Sequence, residues 1–329
     1  MVRINVDILL QYQITGPSAE FIFNVQPSNY GHQTVISEKL YINQAVPVLK
    51  HVEFNSGNRT LRLRANPGPL IVRSQSMVEI NHLLTSSGAI AEIPMGSLPQ
   101  STLQFLLPSR YCQSDRFFDI ALREFGTLTP GYPRVQAIRD WTQNHLTFTS
   151  GASNASTSAV DVLVSRKGVC RDYAHLMIAV CRALNIPARF TTGTDFGADA
   201  ALGPSDFHAY VEVYIGNRWY LFDPSGTAIP MGMIRLGTGR DAADVPFATI
   251  FGQVMSSQPV IKATGIANDD IACQLPHHTQ LAISSDPFDQ ATSSSLTALK
   301  SGGVNSTGIN LASLKGLTPT MRSQLLQLD

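Results

Sequence analysis

The sequence predicts an α+β protein: an N-terminal antiparallel β-sandwich, then a core in which a central helix packs on an antiparallel sheet. Three observations predict it. Residues 2–82 run as short stretches of alternating apolar and polar side chains between turn residues, residues 170–184 are apolar around nearly their whole helical circumference, and residues 207–215 alternate up to a Gly-Asn pair that suits a hairpin turn.

With 329 residues the chain is too long for one ordinary core. The expected division is a β-rich domain over 1–105, a second domain over 106–283, and a Ser/Thr/Gly-rich tail over 284–329. Within that tail "TPTMRSQLLQLD" is the candidate for a short terminal helix. Charged residues are 15% of the chain, below the roughly 25% of soluble proteins at large, and Lys+Arg and Asp+Glu both total 24. A balanced charge offers no field for nucleic acid or an anionic membrane surface, so neither is an expected partner. No apolar run approaches the roughly 20 residues of a membrane span, and "MVRINVDILL" alternates like a strand rather than a signal core. The four cysteines stand far apart without a CxxC or a zinc-finger histidine pair. Reduced thiols in a cytoplasm are therefore expected, with no metal and no cofactor. The sequons at Asn58, Asn154 and Asn305 are then chance matches.

The elements follow in order. "VRINVDILLQYQI", "AEFIFNVQP", "QTVISEKLYIN", "VPVLKHVEF", "RTLRLRANP" and "LIVRSQSMVEI" read as strands, punctuated by Gly16-Pro17, "NSGN" and Pro67-Gly68-Pro69. His32, His51 and His82 are dispersed among them in surface or packing roles. A passage from Gly88 to Pro108 leads to helical patterns. In "PRVQAIRDWTQNHLTF", Pro133 suits a first turn, and Val135, Ile138 and Trp141 or Thr142 make one stripe. A short helix is expected near 159–164. The long helix then begins at Cys170 and ends at Asn185 and Pro187, since proline cannot continue the ladder. Its few polar side chains, Arg171, His175 and Arg182, share a narrow stripe. "ARFTTG" is the next strand, residues from Met231 supply a loop and strand completing the second domain, and His277-His278 lies in an exposed loop.

Cys170 opens the buried helix, where unpaired amide N–H groups and the positive end of the macrodipole favour thiolate over thiol. Gly168, two residues earlier, permits close approach of a backbone or a substrate. Cys181 lies mid-helix among apolar neighbours and reads as a small hydrophobe, as does Cys112. A base is offered by His208 in "DFHAYVEVYIGNRWYLFDPSG". If Gly216-Asn217 is the whole loop of a hairpin, Ile215 pairs with Arg218 and Asp223 shares the face of His208, diagonal to it. A three-residue loop would send Asp223 to the opposite face. Cys170, His208 and Asp223 then match the roles of nucleophile, base and orienter.

"RKGVCRDYAHLMIAVCRALNIPARFTTG" followed by "DFHAYVEVYIGNRWYLFDPSG" resembles the bacterial transglutaminase-like superfamily, cysteine peptidase homologues with a Cys-His-Asp triad. "LLPSRYCQSD", "STSAVDVL" and "GRDAADVPFATIFG" are similar to segments of members with a β-rich N-terminal region, so the resemblance covers Met1 to about Gln253. It implies a papain-like, transglutaminase-like catalytic core with Cys170 as nucleophile, His208 as base and Asp223 as orienter. Animal transglutaminases depend on calcium, whereas no oxygen-rich loop such as DxDxDG occurs here, and calcium control is not expected. Papain-like peptidases keep a Gln shortly before the nucleophile, and "VLVSRKG" has none. Beside the Cys170 amide, the oxyanion candidates are therefore Tyr111 and Gln113. The implied reaction is acyl transfer through a thioester on a protein or peptide substrate. Peptide or isopeptide hydrolysis leads, glutamine transamidation or deamidation comes second, and a non-catalytic protein-binding module is the alternative outside the enzymes. The expected pH profile is bell-shaped, its lower limb set by Cys170 ionisation and its upper limb by His208.

Overall fold

The computed structural model describes residues 1–197 and 206–286. The expected tail beyond 286, its terminal helix and Asn305 lie outside the described residues. The chain order begins with β1 (Val2–Ile14), β2 (Ala19–Phe23), β3 (Gln33–Ile42), β4 (Val48–Val52), β5 (Arg59–Ala65), β6 (Gly68–Ile80) and β7 (Leu83–Thr85). Then come α1 (Phe118–Phe125), α2 (Tyr132–His145), β8 (Thr147–Phe148), α3 (Ala159–Ser165), β9 (Lys167–Gly168) and α4 (Cys170–Ala183). The rest is β10 (Ala188–Asp195), β11 (His208–Ile215), β12 (Arg218–Phe222), β13 (Met233–Gly239), β14 (Ala248–Phe251), β15 (Val254–Ser256), β16 (Val260–Ile266) and β17 (Ala282–Ser284).

Alternation makes the sandwich. In β1, Val2, Ile4, Val6, Ile8, Leu10, Tyr12 and Ile14 are buried, and β6 pairs with it antiparallel from Val2↔Ile80 to Ile14↔Gly68. One sheet has the order β15-β1-β6-β3 with β16 also on β1; the other has the order β14-β2-β5-β4. Their inner faces meet through contacts such as Tyr12 on Phe21, ring centroids 5.1 Å apart. The N-terminal strands do not complete these sheets by themselves. Residues 248–266, expected in the second domain, supply β14 to β16, which cover edges that β1 and β2 would otherwise leave unpaired.

The core sheet has the order β13-β10-β11-β12-β17-β7, so Leu83–Thr85 from the N-terminal region closes one edge against β17. Helix α4 packs on one face, where Ala188, Phe190, Val211 and Val213 join its apolar residues. Across the sheet, Tyr210, Leu221, Ile234 and Leu236 join the sandwich's own cluster. Burial on both faces explains why every residue of β10, β11 and β13 is buried. Charge trapped there is paired. Arg189 Nε donates to Glu212 Oε2 at 2.6 Å and Arg235 Nη1 lies 3.5 Å from Oε1. Burial pushes the Glu212 carboxyl up, and Arg189 and Arg235 outweigh it, holding it at about 2.

Helix α4 ends as its sequence requires, with Asn185 at φ +60° and Pro187 beyond. Its polar stripe is interior: Arg182 is buried and donates to the carbonyls of Ala188, Leu107 and Arg240. His175 is buried too, its Nε2 accepting the Ala242 N–H at 3.2 Å. Among the described residues no helix is long and apolar enough to cross a membrane.

Candidate active site

The start of α4 is held by a carboxylate. Asp172, fully buried, accepts the Val169 N–H at 2.8 Å, the reciprocal half of a capping box. Gly168 belongs to the same arrangement. A Cβ there would stand 2.7 Å from the Asp172 Cβ, so the close approach that this glycine permits is that of the capping side chain. Cys170 is thereby fixed at the first turn. It is half-buried, whereas Cys112, Cys181 and Cys273 are buried, and it faces a cavity of about 680 Å³. Tyr111, Arg171, Asp195, Asp206 and His208 share that wall, with the aromatic rings of Phe148, Phe190, Phe207 and Phe247.

His208 arrives on β11, and the turn that follows decides what it meets. Gly216 and Asn217 adopt φ +55° and +62°, the left-handed pair of a two-residue hairpin loop. The register runs from Ile215↔Arg218 to Val211↔Phe222, as the two-residue turn requires. Asp223, next in the chain, comes to 3.4 Å from His208 Nε2 through Oδ1. That length marks an ion-pair contact rather than a tight hydrogen bond. Asp223 is itself braced, accepting from Ser225 N–H at 2.9 Å, Ser225 O–H at 2.6 Å and Ala228 N–H at 3.1 Å. The thiol of Cys170 reaches toward the Phe207 carbonyl at 3.9 Å, and the backbone amides of Ala209 and Arg171 act electrostatically on the sulfur. The nucleophile candidate thus contacts both residues that flank His208. No hydrogen bond joins the sulfur to the ring among the described residues.

A second carboxylate, absent from the sequence reading, sits beside the ring: Asp195 Oδ2 lies 3.6 Å from His208 Nδ1. Its sequence signal is weak, because the apolar pattern of "ARFTTG" ends two residues short of it. Extending it against β11 finds Asp195, since Gly193 pairs with His208 and Asp195 is the next residue on that face.

The electrostatics reverse one expectation. Burial pushes the Cys170 thiol up to about 12; the Ala209 and Arg171 amides pull it down and Asp223 and Asp206 push it further up. Desolvation next to two carboxylates outweighs the helix terminus and favours the thiol over the thiolate at rest. For His208, burial lowers the proton affinity, and Asp223 and then Asp195 outweigh it, leaving the ring's pKa above the ordinary imidazole value. Asp195 is raised, chiefly by burial, while Asp223 is lowered because His208 and its hydrogen-bond donors overcome burial. These directions favour His208, rather than Cys170, as the group that would set an acid limb.

The oxyanion candidates fare differently. Tyr111 lines the cavity, but its hydroxyl donates to the Ala155 carbonyl at 2.7 Å and its ring stacks on His175. Gln113 lies outside the cavity wall and donates to the Arg110 carbonyl at 3.3 Å. The other histidines stand apart: His32 Nδ1 is 2.8 Å from the Ser285 carbonyl oxygen, and His51, His277 and His278 are exposed.

A helix-start cysteine facing the end of an antiparallel sheet defines a papain-like, transglutaminase-like class of fold. Comparison with known proteins agrees. The model of the transglutaminase-like superfamily matches residues 121–224. A crystal structure of a proposed cysteine protease from Cytophaga hutchinsonii is 34% identical with a TM-score of 0.78, covering 86% of this chain and 97% of its own. An uncharacterized protein of Mycobacterium leprae is 28% identical over 228 residues, which are 67% of this chain and 81% of that protein. A Mycobacterium tuberculosis protein is 34% identical over 142 residues, 38% of this chain and under half, 45%, of its own length. The chain belongs to the transglutaminase-like superfamily, and its core is a cysteine-based catalytic fold.

Proposed function

We propose that the protein catalyses acyl transfer on amide bonds of a protein or peptide, with water as the acceptor, so that peptide or isopeptide bonds are hydrolysed. One observation carries the reading: the half-buried thiol of Cys170 and the imidazole of His208 face one cavity, and the ring is backed by the braced carboxylate of Asp223. Because the resting sulfur is a thiol, the first step is a proton transfer from Sγ to the imidazole as the sulfur attacks the amide carbonyl. Asp223 stabilises the imidazolium formed. The C–N bond then breaks, His208 gives its proton to the departing amine, and a thioester remains on Cys170. Water, losing a proton to His208, attacks the thioester; the acid leaves and the thiol is restored.

The identity with the Cytophaga protein supports water over an amine as acceptor. The four unpaired cysteines support a reducing, cytoplasmic setting. Mass spectrometry of a peptide library incubated with the protein tests the reading. Cleaved peptides that vanish in Cys170→Ala are the expected result. Glutamine–lysine crosslinks or a deamidation mass gain would replace hydrolysis by transamidation or deamidation, and the absence of cleavage, crosslinks and deamidation alike would remove the catalytic reading.

A further inference from the structure

We propose that Asp195 is a positioning residue for His208, its carboxylate sharing the imidazole Nδ1 proton from the side of the ring opposite Asp223. The inference deepens the acyl-transfer reading and rests on it.

The placement comes from register. Gly193 on β10 pairs with His208, so Asp195, two residues on, is a diagonal neighbour of His208 on one flank. Continuing the β11–β12 pairing beyond Val211↔Phe222 makes Asp223 the diagonal neighbour on the other. The ring therefore lies between two carboxylates, 3.6 Å from Asp195 at Nδ1 and 3.4 Å from Asp223 at Nε2. Their surroundings differ. Asp223 accepts hydrogen bonds from Ser225 and Ala228, whereas Asp195 Oδ2, in a residue only 4% exposed, is buried without a hydrogen-bond partner among the described residues, as is His208 Nε2.

A partnerless buried carboxylate oxygen needs an explanation. A neutral ring carries a single N–H: if that is Nε2–H on the side of Asp223, Nδ1 presents its lone pair to Asp195. An ionised Asp195 would then set lone pair against lone pair in a buried site. One proton between Oδ2 and Nδ1 removes the conflict, whether it resides on the carboxyl or on the ring, and the two groups titrate as a pair. Burial, which favours protonated Asp195, points the same way. Asp223 acts on both members of the pair. Cys170 and Asp206 border them on the cavity wall, and on β13 Asp195 pairs with the apolar Met233, with Arg235, the partner of Gly193, two residues further along. When the thiol gives up its proton, the Nδ1–Oδ2 pair holds two, one on the ring and one on the Asp195 carboxyl, and the imidazolium charge faces the Asp223 carboxylate. No bond other than S–H breaks in that step. Asp195 holds the proton near Nδ1 until the departing amine takes it.

The test uses full-length protein with ¹⁵N-labelled histidine, in the Cys170→Ala background so that no turnover intervenes. The His208 titration is compared with and without Asp195→Asn. A midpoint lowered by about 1 unit or more is expected on removing a carboxylate at this distance. The acid limb of kcat/KM in the active background should move down with it, with KM changed little. Coincident midpoints would overturn the inference, whatever the turnover. A shifted midpoint in a protein without turnover would support the shared proton and sink the acyl-transfer reading, which keeps the two failures apart. If Asp195→Asn does not fold, Asp195→Ser serves as the second variant, and a single uncoupled titration step of His208 in the Cys170→Ala parent would overturn the proposal by itself.

Discussion

Replacing Asp223 by Asn keeps its shape and removes its charge, and the consequence for pH dependence can be worked through. In the parent, Asp223 Oδ1 lies 3.4 Å from His208 Nε2. With an effective dielectric constant of about 20, a full pair at that distance is worth about 5 kcal/mol, an upper bound. Opposite charges at such range move a pKa by about 1–3 units in practice. Catalysis needs the neutral ring as the base for a protonated thiol, so kcat/KM rises with pH through the His208 pKa, which stands above the ordinary 6.5. Asp223→Asn lowers that pKa, and the acid limb moves to lower pH. The plateau falls at the same time, because the imidazolium formed with the thiolate loses a partner; each unit costs about tenfold in kcat. The assay is the pH profile of peptide cleavage beside the pH profile of Cys170 alkylation. A parent limb below pH 6.5, or an unmoved limb in Asp223→Asn with its rate intact, would refute this account of the ring.

Three further outcomes concern stability. Glu212→Gln leaves Arg189 and Arg235 facing each other in the buried centre of the sheet, and a loss of about 3–5 kcal/mol in urea denaturation is expected. Asp172→Ala orphans the Val169 N–H at the start of α4, costing about 1–2 kcal/mol by the same measurement and slowing Cys170 alkylation. His32 is lowered from 6.5 to about 4, first by burial and then by Arg235, so the unfolded state binds more protons between those values. Stability is full above pH 6.5 and falls as pH drops toward 4, by about 3 kcal/mol at most; thermal melts of His32→Gln across that window should show a shallower fall.

Much of this was readable before any coordinates. Strict alternation in β1 and β6 announced strands because one face of each is buried, and Gly216-Asn217 announced its own turn because only such residues accept two consecutive positive φ values. From that turn the position of Asp223 followed by counting. What escaped was long-range pairing. Nothing local in "FATIF" or "VIKATGI" says that they join β2 and β1, more than 200 residues away, since a strand's period specifies a face and not a partner. Arg182 and His175 looked like a polar stripe, yet they are interior; their carbonyl and amide partners come from segments distant in sequence, Arg240 and Ala242.

The thiol shows why position in an element does not settle chemistry. A helix terminus supplies partial charge equivalent to about half a proton, and exposed at a surface that would favour thiolate. At Cys170 the same terminus is buried against the end of the core sheet, and the sheet contributes Asp195 and Asp223 around His208. Asp223, together with Asp206, raises the cost of a resting thiolate, and Asp223 with Asp195 lowers the cost of an imidazolium. The site is thereby biased toward a neutral thiol at rest and toward ionisation only when substrate draws the sulfur's electrons onto a carbonyl carbon. Activation in this core resides in the histidine's neighbours on β10 and after β12, so substitutions at those strand ends should alter the pH dependence more than any change along the exposed surface of α4's first turn.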